Sequence, residues 1–77
     1  MDFKISTLKN FLMTVNKLGV CNITEIANNT NTHYSWVINL VKYSNKMKFI
    51  KECKSKSKRE RLYEITSKGI HFIKLVR

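Results

Sequence analysis

The stretch ITEIANNTNTHYSWVINLVKYSNK, residues 23–46, decides the predicted fold of the chain. Its first part places Ile26 and Ala27 toward a core, and Thr24 is a suitable N-cap because its hydroxyl can accept from an unpaired backbone N–H. The polar cluster at residues 28–32 is typical of a turn. Thr32 can cap a longer helix over residues 33–46. The pattern therefore predicts two helices joined by a short polar turn.

The longer helix has two chemically different sides. Val37, Leu40, Val41 and Ser44 fall on one side of a helical wheel. The other side combines hydrogen-bonding groups, two aromatic rings and two lysines without a carboxylate: Ser35, Trp36, Asn39, Lys42, Tyr43 and Lys46. A solvated face normally mixes charges of both signs, so this side is a candidate binding surface. Trp36 and Tyr43 could instead pack beneath the hairpin or at a dimer contact.

The flanking segments predict further elements. FKISTLKNFLMTVNKLG, residues 3–19, has apolar residues at helical spacing and ends at Gly19, where a left-handed residue is wanted. Residues 20–22 allow only a small strand. Residues 49–53 and 61–66 have the pattern of two antiparallel strands. Thr66 is then placed to cap a last helix, SKGIHFIKLVR, at residues 67–77.

Length and charge restrict the class of protein. A chain of 77 residues forms one domain, and 43% hydrophobic content suits a globular one. Fifteen basic residues against five acidic ones give a net charge of +10. Residues 42–61 hold nine of the basic residues and only Glu52 and Glu60 as acids, so this window carries +7. Such clustering indicates a positive face for a polyanion, although a merely solvated hairpin or a lysine-rich proteome is the alternative.

Several other classes are disfavoured. No apolar run approaches the roughly 20 residues that cross a bilayer, and no signal-like block begins the chain, so a soluble, cytoplasmic protein is expected. Cys21, Cys53, His33 and His71 lack the spacing of a zinc site, and no metal or cofactor is expected. A disulfide between the cysteines is the less favoured alternative. Paired carboxylates, a nucleophile–base set and a glycine-rich phosphate loop are missing, which argues against an enzyme.

The segments ITEIANNTNTHYSWVINLV, KFIKECKSKSKRERLYEIT and YEITSKG together resemble the winged helix-turn-helix family, in particular small MarR-like transcriptional regulators. The resemblance covers residues 20–77. It implies an α+β fold in the order helix, strand, helix, helix, strand, wing, strand, helix, as a single domain over residues 1–77. Two positions depart from the family pattern. Asn31 and Lys48 stand where the family usually or often has Gly, in the turn and just before the wing.

The resemblance implies a sequence-specific regulator bound to double-stranded DNA. Helix 33–46 would enter the major groove, and the hairpin at residues 54–61 would reach the backbone or minor groove. Asn39 suits an adenine edge and Ser35 a base or phosphate, while Arg59 suits the minor groove. The predicted helix contacts are Thr32, His33, Tyr34, Ser35, Trp36, Asn39, Lys42, Tyr43 and Lys46. The predicted wing contacts are Lys54, Lys56, Lys58, Arg59 and Arg61.

A homodimer is expected because two-fold regulators bind paired half-sites. Its interface would come from the first and last helices, through Phe3, Leu8, Phe11, Ile70, Phe72 and Ile73. The chain leaves little room for an effector pocket, so no small-molecule effector is expected. The alternatives are a winged-helix module that binds a protein or RNA, and a nonspecific architectural DNA binder. The small size and the Lys, Asn and Ile bias fit a viral or mobile-element regulator from an AT-rich genome.

Overall fold

The computed structural model describes residues 4–55 and 60–76. These ranges contain helices α1 (Ile5–Leu18), α2 (Ile23–Thr30), α3 (Tyr34–Lys46) and α4 (Ser67–Leu75), with strands β1 (Ile50–Cys53) and β2 (Leu62–Ile65) between α3 and α4. The strands are antiparallel, with Ile50 opposite Ile65 and Cys53 opposite Leu62. Apart from the first short strand, this is the predicted α+β order.

The small strand predicted at residues 20–22 is reduced to a single paired residue. Cys21 forms an isolated antiparallel bridge with Tyr63. The Cys21 N–H donates to the Tyr63 carbonyl at 2.9 Å, and the Tyr63 N–H donates to the Cys21 carbonyl at 2.8 Å. Since β1 pairs with the other edge of β2, the segment before α2 is held against the hairpin.

Helix α1 forms because its apolar residues recur at the spacing of one helical face. Leu8, Phe11, Leu12 and Val15 are all buried. Gly19 ends the helix with φ 76°, and its N–H donates to the Val15 carbonyl at 3.0 Å. A positive φ is the conformation for which glycine carries no Cβ penalty, so the predicted end of α1 at Gly19 is confirmed, although its ψ of −129° lies outside the left-handed helical region that was predicted.

Helix α2 is capped by Asn22, and the prediction of Thr24 as its cap was wrong. The Asn22 Oδ1 accepts from the Glu25 N–H at 2.8 Å, while the Glu25 Oε1 accepts from the Asn22 N–H at 3.1 Å. This reciprocal capping box satisfies two donors at once, so the helix begins before Thr24. Asn31 ends the helix in the left-handed region, with φ 53°. Asparagine tolerates that region, so the turn forms without a glycine at this position.

Helix α3 is not capped by Thr32, contrary to prediction. The Thr32 hydroxyl donates to the Thr30 carbonyl at 3.1 Å, and its N–H donates to the Ala27 carbonyl at 3.1 Å. Thr32 therefore closes the turn after α2, and His33 occupies the N-cap position without a side-chain capping bond. The predicted core side of α3 is confirmed, because Val37, Leu40, Val41 and Ser44 are buried.

Thr66 caps α4, as predicted, and also connects α4 to the entrance of the hairpin. Its Oγ1 accepts from the Gly69 N–H at 3.2 Å and donates to the Lys48 carbonyl at 2.6 Å. Gly69 allows the close approach, since a Cβ there would overlap the Phe49 carbonyl oxygen and lie 2.7 Å from the Ile65 Cγ1. The Phe49 and Phe72 rings pack with their centroids 4.9 Å apart.

One hydrophobic core joins these elements. Its buried members are Leu8, Phe11, Leu12, Val15, Cys21, Ile26, Val37, Leu40, Val41, Phe49, Ile50 and Tyr63. Helix α4 covers this core with the half-buried Phe72 and Ile73. Within the described ranges, the helices are all too short or too polar to cross a bilayer.

Replacing Lys48 with glycine should stabilise the protein. Lys48 has φ 64°, which is costly for a residue with a Cβ. We expect Lys48→Gly to raise the free energy of unfolding by roughly 0.5–1 kcal/mol, measured by denaturant unfolding. Lys48→Ala is the control, because alanine keeps the Cβ and should show no such gain. Equal gains for both variants would assign the effect to loss of the lysine side chain.

Candidate nucleic-acid interface

A polar stripe runs along α3 opposite its buried side. It consists of Ser35, Asn39, Lys42 and Lys46, which recur at intervals of three or four residues and so share one line of the helix. Ser35, Lys42 and Lys46 are exposed, while Asn39 is half-buried. The sequence of α3 contains no acidic residue, so the stripe combines amide, hydroxyl and ammonium groups without a competing carboxylate. Such a surface can bind an anion and hydrogen-bond a base edge.

Trp36 and Tyr43 lie along one margin of this stripe, seven residues apart on α3. Each is 37% exposed. Both residues also take part in a bonding, ring or electrostatic interaction within the protein, so neither is without a partner. The exposed remainder is available to a ligand on the same face. The Trp36 and Tyr43 rings therefore border Ser35 and Asn39 on one side of the stripe.

The start of α3 presents backbone donors. Thr32 is half-buried, whereas His33 and Tyr34 are exposed. The first N–H groups of a helix have no intrahelical acceptor and favour an anion. A cavity of about 360 Å³ opens beside this turn, lined in part by Asn28, Asn31 and His33. Thr32 and His33, which were predicted as contacts at the helix start, both line this cavity.

The predicted wing is described only in part. Lys54 and Arg61 are exposed at the two ends of the hairpin loop. Lys56, Lys58 and Arg59 lie outside the described residues. Glu64 accepts from the Lys51 ammonium across the two strands at 3.0 Å, and this hydrogen bond raises the pKa of Lys51. The pair stabilises the strand register from which the basic loop extends.

Asn22 connects the hairpin to the helix-turn-helix segment. While its Oδ1 caps α2, its Nδ2 donates to the Glu60 Oε1 at 2.7 Å. One side chain therefore holds the start of α2 and the return of the hairpin loop together. The Asn-x-x-Glu spacing at Asn22 is a capping-box signal, although Thr24 was the predicted cap. The contact with Glu60 has no signal in the local sequence.

The residues predicted for a dimer interface differ in how exposed they are to solvent. Leu8 and Phe11 are 5% and 2% exposed within the single chain, so they belong to its core and are not available to a partner. This corrects their assignment, because the helical apolar face that contains them packs inward. Phe72 and Ile73 are half-buried against the same core. Ile70 is 36% exposed, and Phe3 lies outside the described residues.

Some other apolar side chains of α1 and α4 are more exposed than any described member of that set. Ile5 on α1 is 61% exposed and Leu75 on α4 is 68% exposed. Helices α1 and α4 contact each other. The two helices predicted for an interface are thus neighbours that carry exposed apolar residues, although not mainly the predicted ones.

The two cysteines differ in burial. Cys21 is buried, Cys53 is half-buried, and both are free thiols. Burial, with smaller effects of Glu25 and Cys53, raises the pKa of Cys21 to about 11, and burial also raises the pKa of Cys53. Both therefore stay protonated at neutral pH. Within residues 4–55 and 60–76, no three His, Cys, Asp or Glu side chains converge as metal ligands would.

Solved structures of MarR-type regulators have the same fold. The zinc-responsive MarR family member ZitR of Lactococcus lactis is 23% identical, with a TM-score of 0.79 over 96% of this chain and 51% of that one. E. coli MarR C80S complexed with operator DNA is 10% identical, with a TM-score of 0.84 over 91% and 51%. Bordetella bronchiseptica BpsR, whose DNA binding is regulated by 6-hydroxynicotinic acid, is 14% identical, with a TM-score of 0.81 over 91% and 54%.

These similarities establish the winged helix-turn-helix fold of this chain. The chain spans about half the length of these solved structures. No protein-family model matches the sequence, and no curated protein sequence matches it. The similarity to known proteins is therefore one of fold, and the evidence for function is the surface of α3 and the hairpin.

The Asn22–Glu60 contact should be measurable as a coupling energy. Asn22→Asp keeps the capping oxygen but sets a second carboxylate against Glu60, so we expect it to lower the free energy of unfolding by about 1 kcal/mol. Adding Glu60→Gln should restore part of that loss, since the glutamine amide can donate to the new aspartate. Urea unfolding of the four forms gives the coupling. Additive effects in the double variant would show that the side chains do not interact.

Proposed function

We propose that this protein is a sequence-specific regulator of transcription that binds double-stranded DNA. The observation that carries the proposal is the carboxylate-free polar stripe of α3, which lies opposite the core on the second helix of a winged helix-turn-helix fold. The similarity in fold to MarR complexed with operator DNA supports it. DNA is the proposed partner, with the cytoplasm as the site of action.

Helix α3 has dimensions that suit the major groove. Its 13 residues correspond to a rod of about 20 Å. The major groove is about 12 Å wide and admits one α-helix. The stripe would then face the base edges, where the Asn39 amide can pair with adenine N6 and N7.

Phosphate contacts would come from the lysines of the stripe and from the hairpin. Lys42 and Lys46 lie in the C-terminal half of α3, and Lys54 and Arg61 begin and end the basic loop. Lys56, Lys58 and Arg59 complete the proposed wing contact, with Arg59 in the minor groove. Counterion release would make binding fall steeply with salt.

The protein is proposed to act as a homodimer. A two-fold dimer would place two copies of α3 about 34–36 Å apart on an inverted repeat. Ile5, Ile70 and Leu75 offer exposed apolar area on α1 and α4 for the contact. No small-molecule effector is proposed. Zinc and 6-hydroxynicotinic acid belong to ZitR and BpsR respectively.

Selection from a random duplex library at about 0.15 M salt tests the proposal directly. One enriched motif, above all an inverted repeat, is the expected result. Binding without enrichment would contradict sequence specificity and indicate an architectural protein. Failure to bind any duplex would contradict the proposal and leave a protein or RNA partner.

Asn39→Ala should reduce discrimination between sequences more than it reduces nonspecific affinity. A bidentate amide–adenine pair contributes about 1–3 kcal/mol of discrimination, so the preference for the selected site should fall roughly 5- to 150-fold. Fluorescence anisotropy with selected and scrambled duplexes measures both affinities. Asn45→Ala, an exposed amide on α3 outside the stripe, should leave the ratio unchanged. Equal losses on both duplexes would rule out base reading by Asn39.

Removing the basic side chains should flatten the dependence of affinity on salt. Lys42→Gln and Lys46→Gln should each reduce the log–log slope by about 0.9 if each contacts one phosphate. The combined Lys56→Gln, Lys58→Gln and Arg59→Gln variant should weaken binding to every duplex and flatten the slope further. Lys74→Gln on α4 is the charge-matched control. A slope that stays at the wild-type value in the triple variant would show that the wing does not touch phosphate.

A further inference from the structure

A cavity of about 330 Å³ with both polar and apolar walls lies beside α3 and outside the stripe, and Phe11 and Leu40 belong to its apolar lining. It is formed where α1, the end of α2, the turn and the first half of α3 meet. Its polar wall consists of Thr7, Asn10, Thr30 and Thr32, and Trp36 forms a further wall. Among the polar residues and Trp36, only Thr32 and Trp36 were predicted as part of a site. The cavity therefore adds a group of side chains from α1 to the proposed interface.

Two of the polar side chains in this cavity already donate hydrogen bonds within the protein, and two do not in the described ranges. The Thr30 hydroxyl donates to the Ile26 carbonyl at 2.8 Å, and the Thr32 hydroxyl donates to the Thr30 carbonyl at 3.1 Å. In the described ranges 4–55 and 60–76, the side chains of Thr7 and Asn10 form no hydrogen bond. They lie three residues apart on α1 and so face the same side. The cavity therefore offers a hydroxyl donor and an amide donor close together.

The lining of the cavity carries no charge that would repel an anion. It contains no acidic residue. A second cavity of about 400 Å³ shares Asn10 and Thr30 with it and adds Thr14 and Lys17, again without a carboxylate. An anionic oxygen placed between Thr7 and Asn10 would thus lie near two hydrogen-bond donors, and no carboxylate of the lining would repel it.

The cavity lies where a strand of DNA backbone would pass. Trp36 directly follows Ser35 of the stripe and forms its margin on the side of α1. Because the groove is about 12 Å wide, a helix of about 10 Å diameter in it has a phosphate strand along each flank. The cavity opens at the first half of α3, whereas the hairpin begins after its last turn. The cavity and the hairpin would therefore hold the DNA backbone near opposite ends of α3.

We infer that this cavity is a binding site for a phosphodiester group of the DNA backbone, with the Thr7 hydroxyl and the Asn10 amide donating to a non-bridging oxygen. The inference rests on the proposed function and extends it to α1. Because both donors are neutral, the contact adds affinity without placing a cation at the phosphate. It should therefore act on affinity and leave the salt slope unchanged.

Removal of the donors tests this inference. Asn10→Ala and Thr7→Val should each weaken binding roughly threefold to tenfold on selected and scrambled duplexes alike, which is the loss expected for one hydrogen bond of ordinary net strength. The salt slope should not change. Asn16→Ala is the matched control, since it removes an exposed amide from another side of α1. Both Asn→Ala variants also gain the same helix propensity, and thermal unfolding confirms that they fold.

Adding charge provides the opposite test. Asn10→Lys should tighten binding and steepen the log–log salt slope by about 0.9, because the ammonium would neutralise the phosphate held in the cavity. Asn16→Lys carries the same charge on another side of α1 and should change the slope less.

The outcomes separate the inference from the proposed function. If the wild-type protein binds DNA and the Thr7 and Asn10 variants bind equally well, the phosphate site is refuted while the regulator proposal stands. If the Asn10 and Asn16 variants behave alike, the effect is not specific to the cavity and the inference fails. If the wild-type protein binds no duplex, both are wrong.

Discussion

The close approach of α4 to the hairpin entrance is the constraint on which the remaining structure depends. The Thr66 hydroxyl bonds both the Gly69 N–H and the Lys48 carbonyl, and the Thr66 N–H donates to the Phe49 carbonyl at 2.9 Å. Gly69 leaves the space that this requires. Because the hairpin emerges directly after α3, this junction sets the angle at which the wing leaves the proposed DNA-binding helix.

Helix α3 has to satisfy two surfaces at once. Its inner side supplies four buried residues to the core, so its rotation about its own axis is determined by packing. The polar stripe is consequently presented in one direction. A small domain with a single simple core can in this way orient a recognition surface without additional domains. The same packing places the α1 cavity at the margin of that surface.

Asparagine carries several of the geometric tasks in this glycine-poor chain. Asn22 caps α2 and reaches Glu60, and Asn31 adopts the left-handed turn between the two helices. Among the described residues, Lys48 and Gly19 also have positive φ, and at Lys48 the Cβ is a cost. The turn thus keeps its conformation without Gly, while the hairpin entrance retains a strained residue beside the junction with Thr66.

The sequence by itself determined the helices, the hairpin, the core side of α3 and the Thr66 cap, because these follow from local periodicity and capping chemistry. The same local logic chose Thr24 and Thr32 as caps, and failed where several capping residues compete within a few positions. Only the tertiary structure decided that Leu8 and Phe11 belong inside, that Asn22 meets Glu60, and that Thr7 and Asn10 face a shared cavity. Those facts depend on which elements pack together, and contacts between residues far apart in the chain leave no periodic signal.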